Sequence, residues 1–409
     1  MKRSRIVYFL FLFSGITALI YEVVWTRMLT LAFGHTVFSV SIVLASFMAG
    51  LGFGSYFSGH AINHIGGKKT QSDSSSLSRE FSEDLGTSSL LLIYGWIEIA
   101  LFLLCLVVSL ILFKFSVIYS WFSFFVPESI VVQNIFKSFL AFILMFIPAS
   151  LMGATLPIIS QYYITDNIRL DARLGLLYGI NTFGAALGCL LTGFFLIANF
   201  GVLQTVLAAT VLNLFVGISA IRIYQESLES SKGLHFPRFT IPKISLERGQ
   251  WLWIVVSFVC GFTALSYEVL WTRLLIFSTS STVYSFSMML GVFLIGIALG
   301  SFLVVAVFRS SLNLRTVLIL LQAVIGLYVI GSLYNMEQLL STPWNSYNLQ
   351  KPAFVFWRYF LDSSALMLLP TIALGMSFPI LVKIISNGHE RIGKGTGQIY
   401  GGNTFGAIL

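Results

Sequence analysis

The chain has 409 residues, of which 57% are hydrophobic and 10% are charged, and its mean hydropathy is +0.89. Soluble domains carry about 25% charged residues, so this composition excludes a soluble globular enzyme, a disordered chain and a secreted disulfide scaffold. The net charge of +8 does not indicate nucleic-acid binding, because the basic residues do not cluster but separate long apolar stretches. The three cysteines have no metal-ligand spacing, so the sequence predicts no metal site.

Apolar stretches long enough to cross a bilayer recur along the chain, since a membrane helix needs about 20 such residues. The sequence predicts ten complete spans, at 6–33, 37–59, 89–113, 130–160, 174–198, 201–221, 251–277, 282–308, 316–334 and 354–385. An eleventh span opens near Thr396 and is still running at Leu409. The first span is too long for a signal peptide and no small-residue cleavage site follows it, so we expect it to remain in the mature protein.

The distribution of basic residues predicts an orientation. If the N-terminus is cytoplasmic, 18 of the 24 Lys and Arg lie on the cytoplasmic side of the spans. Four lie on the other side, namely Lys114, Lys137, Lys351 and Arg358. The positive-inside rule therefore predicts a multi-pass protein of the inner (plasma) membrane with a cytoplasmic N-terminus.

The sequence contains an internal repeat. Residues 15–27, GITALIYEVVWTR, recur at 261–273 as GFTALSYEVLWTR, and the element that starts at Tyr178 (YGINTFGA) recurs at Tyr400 as YGGNTFGA. Both copies enter the membrane from the same side and hold six spans, which is the parallel pattern of the major facilitator superfamily. We therefore expect a first six-helix bundle at 1–221 with a polar cytoplasmic loop about 61–88, and a cytoplasmic linker at 222–249. The second bundle, 250–409, is expected to be incomplete and truncated in its fifth helix.

The doubled motif G-x-T-A-L-x-Y-E-V-x-W-T-R, followed by a Gly-rich second helix, resembles the membrane part of the fused major-facilitator/spermidine-synthase proteins. In that family the membrane domain precedes a cytoplasmic aminopropyltransferase domain, so the resemblance implies a polyamine as the solute. These residues contain no Gly-rich nucleotide loop after a strand. We therefore predict no catalytic residue and no cofactor in this chain, and whether it belongs to an enzyme stays open.

Three acidic residues lie inside predicted spans, at Glu22, Glu98 and Glu268. An ionisable group in a bilayer costs about 2.5 kcal/mol or more and usually indicates function. One interpretation is a cation or proton site, to which nearby rings offer their π faces; these are Tyr21, Trp25, Tyr267 and Trp271. The alternative is a structural or gating pair of salt bridges, in which Glu22 meets Arg273 and Glu268 meets Arg27. Glu98 has its own alternative, a polar contact between helices.

Paired prolines occur in the fourth and tenth spans, at Pro148, Pro157, Pro370 and Pro379. Proline removes a backbone hydrogen bond and kinks a helix. The freed carbonyls then need protein or cavity water as partners, so we expect kinked helices that line a central cavity. The alternative is a bent helix that only fits its neighbours.

Two functions remain open from the sequence. The first is a transporter-like module that moves a small cationic metabolite such as a polyamine. The second is a membrane anchor or regulatory domain for a fused or separate cytoplasmic aminopropyltransferase. Both place the chain in a lipid bilayer, and neither involves nucleic acid.

Overall fold

The computed structural model describes residues 2–34, 36–65, 76–122, 124, 129–163, 170–229, 250–279, 283–334, 352–386 and 392–409. All regular secondary structure in these residues is helical. Nine stretches among them are long and apolar enough to cross a membrane, judged by length and composition. The prediction of an all-α, polytopic membrane protein is therefore confirmed.

Twelve α-helices, numbered here in chain order, make up the described part of the chain. The first seven are α1 (Lys2–Phe33), α2 (Thr36–Ile65), α3 (Ser76–Phe113), α4 (Phe115–Phe122), α5 (Ile130–Tyr162), α6 (Leu170–Leu191) and α7 (Ile197–Glu229). The other five are α8 (Trp251–Thr279), α9 (Val283–Arg309), α10 (Leu314–Tyr334), α11 (Pro352–Ile385) and α12 (Ile392–Ile408). We call α1–α7 the first half and α8–α12 the second half.

The boundary between the predicted spans 174–198 and 201–221 is a bend and not a loop. A π-helical turn, Thr192–Leu196, connects α6 directly to α7. The helical path breaks at Gly201, whose backbone has φ 77° and ψ 175°. Glycine adopts positive φ without steric cost, so this residue allows two apolar spans to follow each other without a polar connection.

Two predicted loop regions are partly helical. The polar stretch expected as a loop at 61–88 is shorter, because α2 continues to Ile65 and α3 already begins at Ser76. The segment 76–88 contains no proline, so it can continue the apolar helix that follows it. Extending an existing helix avoids the unfavourable nucleation step. Similarly, α7 extends to Glu229 and so includes the start of the predicted linker 222–249. The remainder of that linker, 230–249, lies outside the described residues.

Glycines allow the helices of each half to pack closely. An added Cβ at Gly15 would overlap the carbonyl oxygen of Asn181, which joins α1 to α6. A Cβ at Gly261 would likewise overlap the carbonyl of Asn403, which joins α8 to α12. The same contact therefore occurs at positions that the sequence repeat pairs. Close approach through small residues is the usual way in which membrane helices gain packing energy.

The two halves share a continuous core at one end of the molecule, and toward the other end they also meet, for example where Phe194 contacts Tyr284 and Phe356. We call the end where α1 begins the proximal end and the end where α1 finishes the distal end. At the proximal end one continuous buried cluster contains side chains of both halves, including Leu10, Leu177, Phe378 and Ile399. Toward the distal end, one buried cluster of the first half surrounds Trp25, and a different cluster of the second half surrounds Trp271. Contact between the halves is made chiefly by α2 with α12 and by α6 with α9.

Candidate functional site

A cavity of about 880 Å³ lies between the two halves and reaches the distal end. Its walls come from the distal part of α1, the first turns of α2 and α9, the distal part of α8, the π-helical turn and the last residues of α12. Clefts between packed helix bundles are a common place for small-molecule sites.

Two charged side chains line the described part of this cavity, Arg27 on α1 and Glu268 on α8. Hydroxyl groups accompany them, including those of Thr26, Ser266 and Thr272, while most of the remaining wall is apolar. A mainly apolar pocket with a few converging polar groups is typical of small-molecule sites. The volume is sufficient for a small organic solute.

The two repeated acids approach each other at the base of this region. Both Glu22 and Glu268 are only 4% exposed, and their carboxyls are close enough to interact electrostatically. Cys189 on α6 lies near both carboxyls, and its Sγ donates to the carbonyl oxygen of Ser287 at 3.4 Å. The acids of both repeats are therefore buried within electrostatic range of each other, and of the two only Glu268 lines the described cavity wall.

The predicted ion pair between Glu268 and Arg27 does not form in this structure. Among the described residues the one salt bridge within 4.0 Å joins Arg358 and Asp362 at 3.2 Å. Arg27 and Glu268 line the same cavity from opposite halves, so their pairing in another conformation stays a prediction. The side chain of Arg273 lies outside the described residues, so its pairing with Glu22 stays a prediction.

The predicted aromatic partners face into their own helix bundles and not into the cavity. Tyr21 stacks on Trp25 with 5.5 Å between ring centroids, and Tyr267 stacks on Trp271 at the same distance. Trp25 donates its Nε1–H to the Oγ of Ser109 at 2.8 Å. Consecutive helix residues point about 100° apart, so a ring adjacent in sequence to Glu22 or Glu268 faces another neighbour. None of the four rings contributes to the described cavity wall.

Glu98 lies in a separate polar network inside the first half. Its Oε2 accepts a hydrogen bond from Nδ2 of Asn213 on α7 at 2.6 Å. The Oδ1 of Asn213 in turn accepts the hydroxyl proton of Tyr21 on α1 at 2.9 Å. Within the described residues the other carboxyl oxygen, Oε1, is buried and has no hydrogen-bond partner. The network therefore connects α1, α3 and α7 without reaching the cavity wall.

All four predicted prolines are buried inside their helices. Pro148 and Pro157 lie within α5, and Pro370 and Pro379 lie within α11. None of them contributes to the described wall of the distal cavity. The predicted kinks and a lining role in another conformation stay predictions.

Aromatic rings close the proximal end between the halves. Tyr178 on α6 lies 4.4 Å from Phe378 on α11, measured between ring centroids, and Phe378 lies 5.7 Å from Tyr400 on α12. Nearby, the backbone N–H of Gly393 donates to Oε1 of Gln161 at 2.9 Å, which joins α12 to α5. These contacts bury the proximal end between the halves, whereas the cavity lies toward the distal end.

Sequence reasoning missed two residues of these arrangements. Asn213 is an amide inside an apolar span, and it is the direct partner of Glu98. The sequence assigned Cys189 no role, yet its thiol lies near the carboxyls of both repeated acids. The first could have been found by searching the spans for amides as well as acids. The second depends on the packing of α6 against α9, for which the sequence carries no signal.

Metal ligation has no support in the described part of the chain. No group of three or more His, Cys, Asp or Glu side chains lies close enough there to hold a metal ion. Any cation in the cavity would instead meet Glu268, the neighbouring Glu22 and hydroxyl oxygens.

The chain is similar in structure to solved transporters. One is the crystal structure of a bacterial homologue of the iron transporter ferroportin in the outward-facing state; its TM-score is 0.56 at 12% identity, and the match covers 98% of this chain and 88% of that chain. A second, of such a homologue with soaked iron, has a TM-score of 0.55 with the same identity and coverage. No family model and no curated protein matches the chain. At this identity the likeness shows the fold alone.

The chain shares its overall fold with these solved structures. Contact with the lipid bilayer follows from this fold and from the apolar spans. Neither solved structure is described as a fusion with spermidine synthase. That resemblance and the polyamine it implies therefore stay predictions.

Proposed function

We propose that the chain is a transport module that moves a small cationic solute by alternating access, with Glu268 and Glu22 as the binding site. The observation that carries this proposal is the cavity between the halves, which reaches Glu268 from the distal end while the proximal end is closed. An anchor domain needs no such cavity.

The chemistry of the cavity base favours a positively charged group. Oε1 of Glu268 has no hydrogen-bond partner among the described residues. A carboxylate in a desolvated site attracts a cation more strongly than it does in water. An ammonium group brings three donors, which suit this carboxyl and the hydroxyls of Ser266 and Thr272 on the same wall.

Arg27 takes the role of a gate in this proposal. In the open arrangement it lines the cavity and has no salt bridge among the described residues. When the distal parts of the two halves approach each other, Arg27 moves toward Glu268 and competes with the solute for the carboxyl. Release on the other side of the membrane then follows from the exchange of one cation for another.

The proposal also includes the orientation of the chain in the membrane and the class of its solute. The excess of basic residues in the loops on the proximal side supports a cytoplasmic N-terminus in the inner membrane, so that the cavity faces outward. Polyamines are one class of suitable cation, and the doubled sequence motif supports them by resemblance. A neighbouring aminopropyltransferase domain rests on the same resemblance.

Flux measurements in proteoliposomes test the proposal. We expect time-dependent uptake of at least one cation from a panel of spermidine, putrescine, choline and Fe²⁺. Loss of a charged hydrogen-bond partner costs about 1.5–3 kcal/mol, so Glu268→Gln should weaken uptake on the order of tenfold or more. Glu22→Gln should also weaken it. Glu226→Gln, which alters an exposed carboxyl on α7, is the matched control and should leave uptake unchanged.

Two results would contradict the proposal. Uptake that is equal in Glu268→Gln, Glu22→Gln and the wild-type protein would remove both acids from the site. Absence of uptake and of binding for every cation in the panel would instead favour the anchor function.

A further inference from the structure

We infer that Glu98 is a proton-binding site inside the first half, separate from the solute cavity and linked to α1 through Asn213 and Tyr21. This inference does not depend on which solute the cavity takes. It concerns the side-chain cluster of α1, α3 and α7, which the proposed solute site does not use.

The directions of the hydrogen bonds define what the cluster can bind. The Tyr21 hydroxyl donates to Oδ1 of Asn213 at 2.9 Å, and Nδ2 of the same amide donates to Oε2 of Glu98 at 2.6 Å. In this chain of two hydrogen bonds, each donated hydrogen therefore points toward Glu98. The hydroxyls of Ser14 and Tyr94 also lie against the Glu98 carboxyl. Its Oε1 is a buried acceptor for which the described structure gives no hydrogen bond, and it is the position at which we place the proton.

The surroundings of Glu98 provide no positive charge to hold it as a carboxylate. Glu98 is fully buried, and no salt bridge among the described residues involves it. The titratable groups nearest to it are Tyr21 on α1 and Tyr94 and Cys105 on α3 itself. All three are neutral at physiological pH by their ordinary chemistry.

Charged residues on the helices packed against α3 are engaged or placed elsewhere. Arg27 of α1 lines the cavity, and Lys137 of α5 lies over the ring of Tyr119 at 4.5 Å. Arg222 and Glu226 of α7 come more than two helical turns beyond Asn213 in the sequence. Glutamine could accept the same hydrogen bond from Asn213, so what the acid adds at this position is its exchangeable proton.

The second half carries no acid in the corresponding contact. There Gln322 on α10 donates from Nε2 to Oγ of Ser377 on α11 at 3.2 Å. The proton site is thus confined to the first half, as expected of a single coupling site.

Proton binding changes the hydrogen bonds that α1 makes. When Glu98 takes a proton from water, an O–H bond forms at Oε1 and the negative charge disappears. Nδ2 of Asn213 then donates to an uncharged carboxyl. Its hydrogen bond to Oε2 weakens, because hydrogen bonds to charged groups are about twice as strong as those to neutral groups. Tyr21 lies on the same helix as the cavity-lining Thr26 and Arg27, so this change reaches the wall of the cavity.

Infrared difference spectroscopy of the purified full chain in lipid nanodiscs, recorded while the pH is stepped, tests the inference. We expect the wild-type protein to show a protonated-carboxyl C=O band that disappears as the pH is raised and that is absent in Glu98→Gln. Glu226→Gln, which alters an exposed carboxyl on α7, is the matched control and should retain this band. Asn213→Leu should shift its frequency, because the hydrogen bond to Oε2 is gone.

A second variant tests the link to α1. Tyr21→Phe should keep the carboxyl band and remove a tyrosine ring band from the difference spectrum. If Glu98→Gln does not fold, as judged by gel filtration, the spectra of Asn213→Leu and Tyr21→Phe test the inference instead. The inference is overturned if the pH difference spectrum is the same in the wild-type protein and in Glu98→Gln, or if neither of the other two variants changes it.

Discussion

Replacing Gly397 with alanine should weaken the closure of the proximal end. Gly397 on α12 faces α2 of the other half, and a Cβ there would lie 2.5 Å from the carbonyl oxygen of Ser55. Ordinary contact begins at 3.4 Å, so the two helices must separate by about 0.9 Å. The obstacle is a backbone atom, which no change of side-chain rotamer can remove.

The size of the effect follows from the cost of overpacking. Forcing extra atoms into a packed interface costs about 1–3 kcal/mol. This cost applies only to the state in which the proximal end is closed, so the equilibrium between closed and open proximal ends should shift roughly 5–150-fold.

A cysteine reporter measures this shift. Thr396→Cys is a near-isosteric change at a fully buried position of α12, and the three native cysteines are also buried. In inside-out vesicles, we expect a membrane-impermeant maleimide to label the reporter roughly 5–150 times faster in the Gly397→Ala background. Gly326→Ala, where a Cβ meets nothing within 4 Å, is the matched control. Equal labelling rates in the two backgrounds would refute the reasoning.

Three other changes give separate tests. Gly54→Ala should lower the melting temperature, because its Cβ would overlap a carbonyl oxygen of α5, whereas Gly326→Ala should not. Tyr21→Phe removes a buried hydrogen bond and should cost roughly 0.6–1.7 kcal/mol of unfolding free energy. Tyr267 is the repeat counterpart of Tyr21, and the described structure gives no hydrogen bond for its hydroxyl. Tyr267→Phe should therefore cost less. Phe378→Ala removes two ring contacts at the proximal end, one to Tyr178 of the other half and one to Tyr400 of its own half, worth about 0.5–1.5 kcal/mol each. It should also speed labelling of the buried-cysteine reporter.

Hydropathy and charge were sufficient to predict the long helices, because each span must be apolar over its whole length in a bilayer, but they did not predict the short helix α4. The predicted span 251–277 corresponds to α8, Trp251–Thr279, and 282–308 corresponds to α9, Val283–Arg309. The predicted spans differ from the observed helices where a polar segment is helical. The start of α3 at Ser76 continues an apolar helix beyond its membrane part, and hydropathy cannot distinguish such a continuation from a loop.

The candidate site was predictable only as a set of unusual residues. Glu22 and Glu268 were found as acids in apolar spans, and the repeat suggested that they are related by an axis between the halves. Which rings face them was not predictable, since it depends on how far each helix is rotated about its own axis. Tyr21 therefore turned out to contact Asn213 and not the cavity.

Labelling of cysteines placed at the acids tests the central claim most directly. In a right-side-out membrane, a small impermeant cationic thiol reagent added from outside should label Glu268→Cys rapidly, because position 268 lines the distal cavity. It should not label Glu98→Cys, which lies in the buried network of the first half. A Glu268→Cys variant that resists the reagent from outside, or that reacts no faster than Glu98→Cys, would contradict a solute cavity that reaches Glu268 from the distal end.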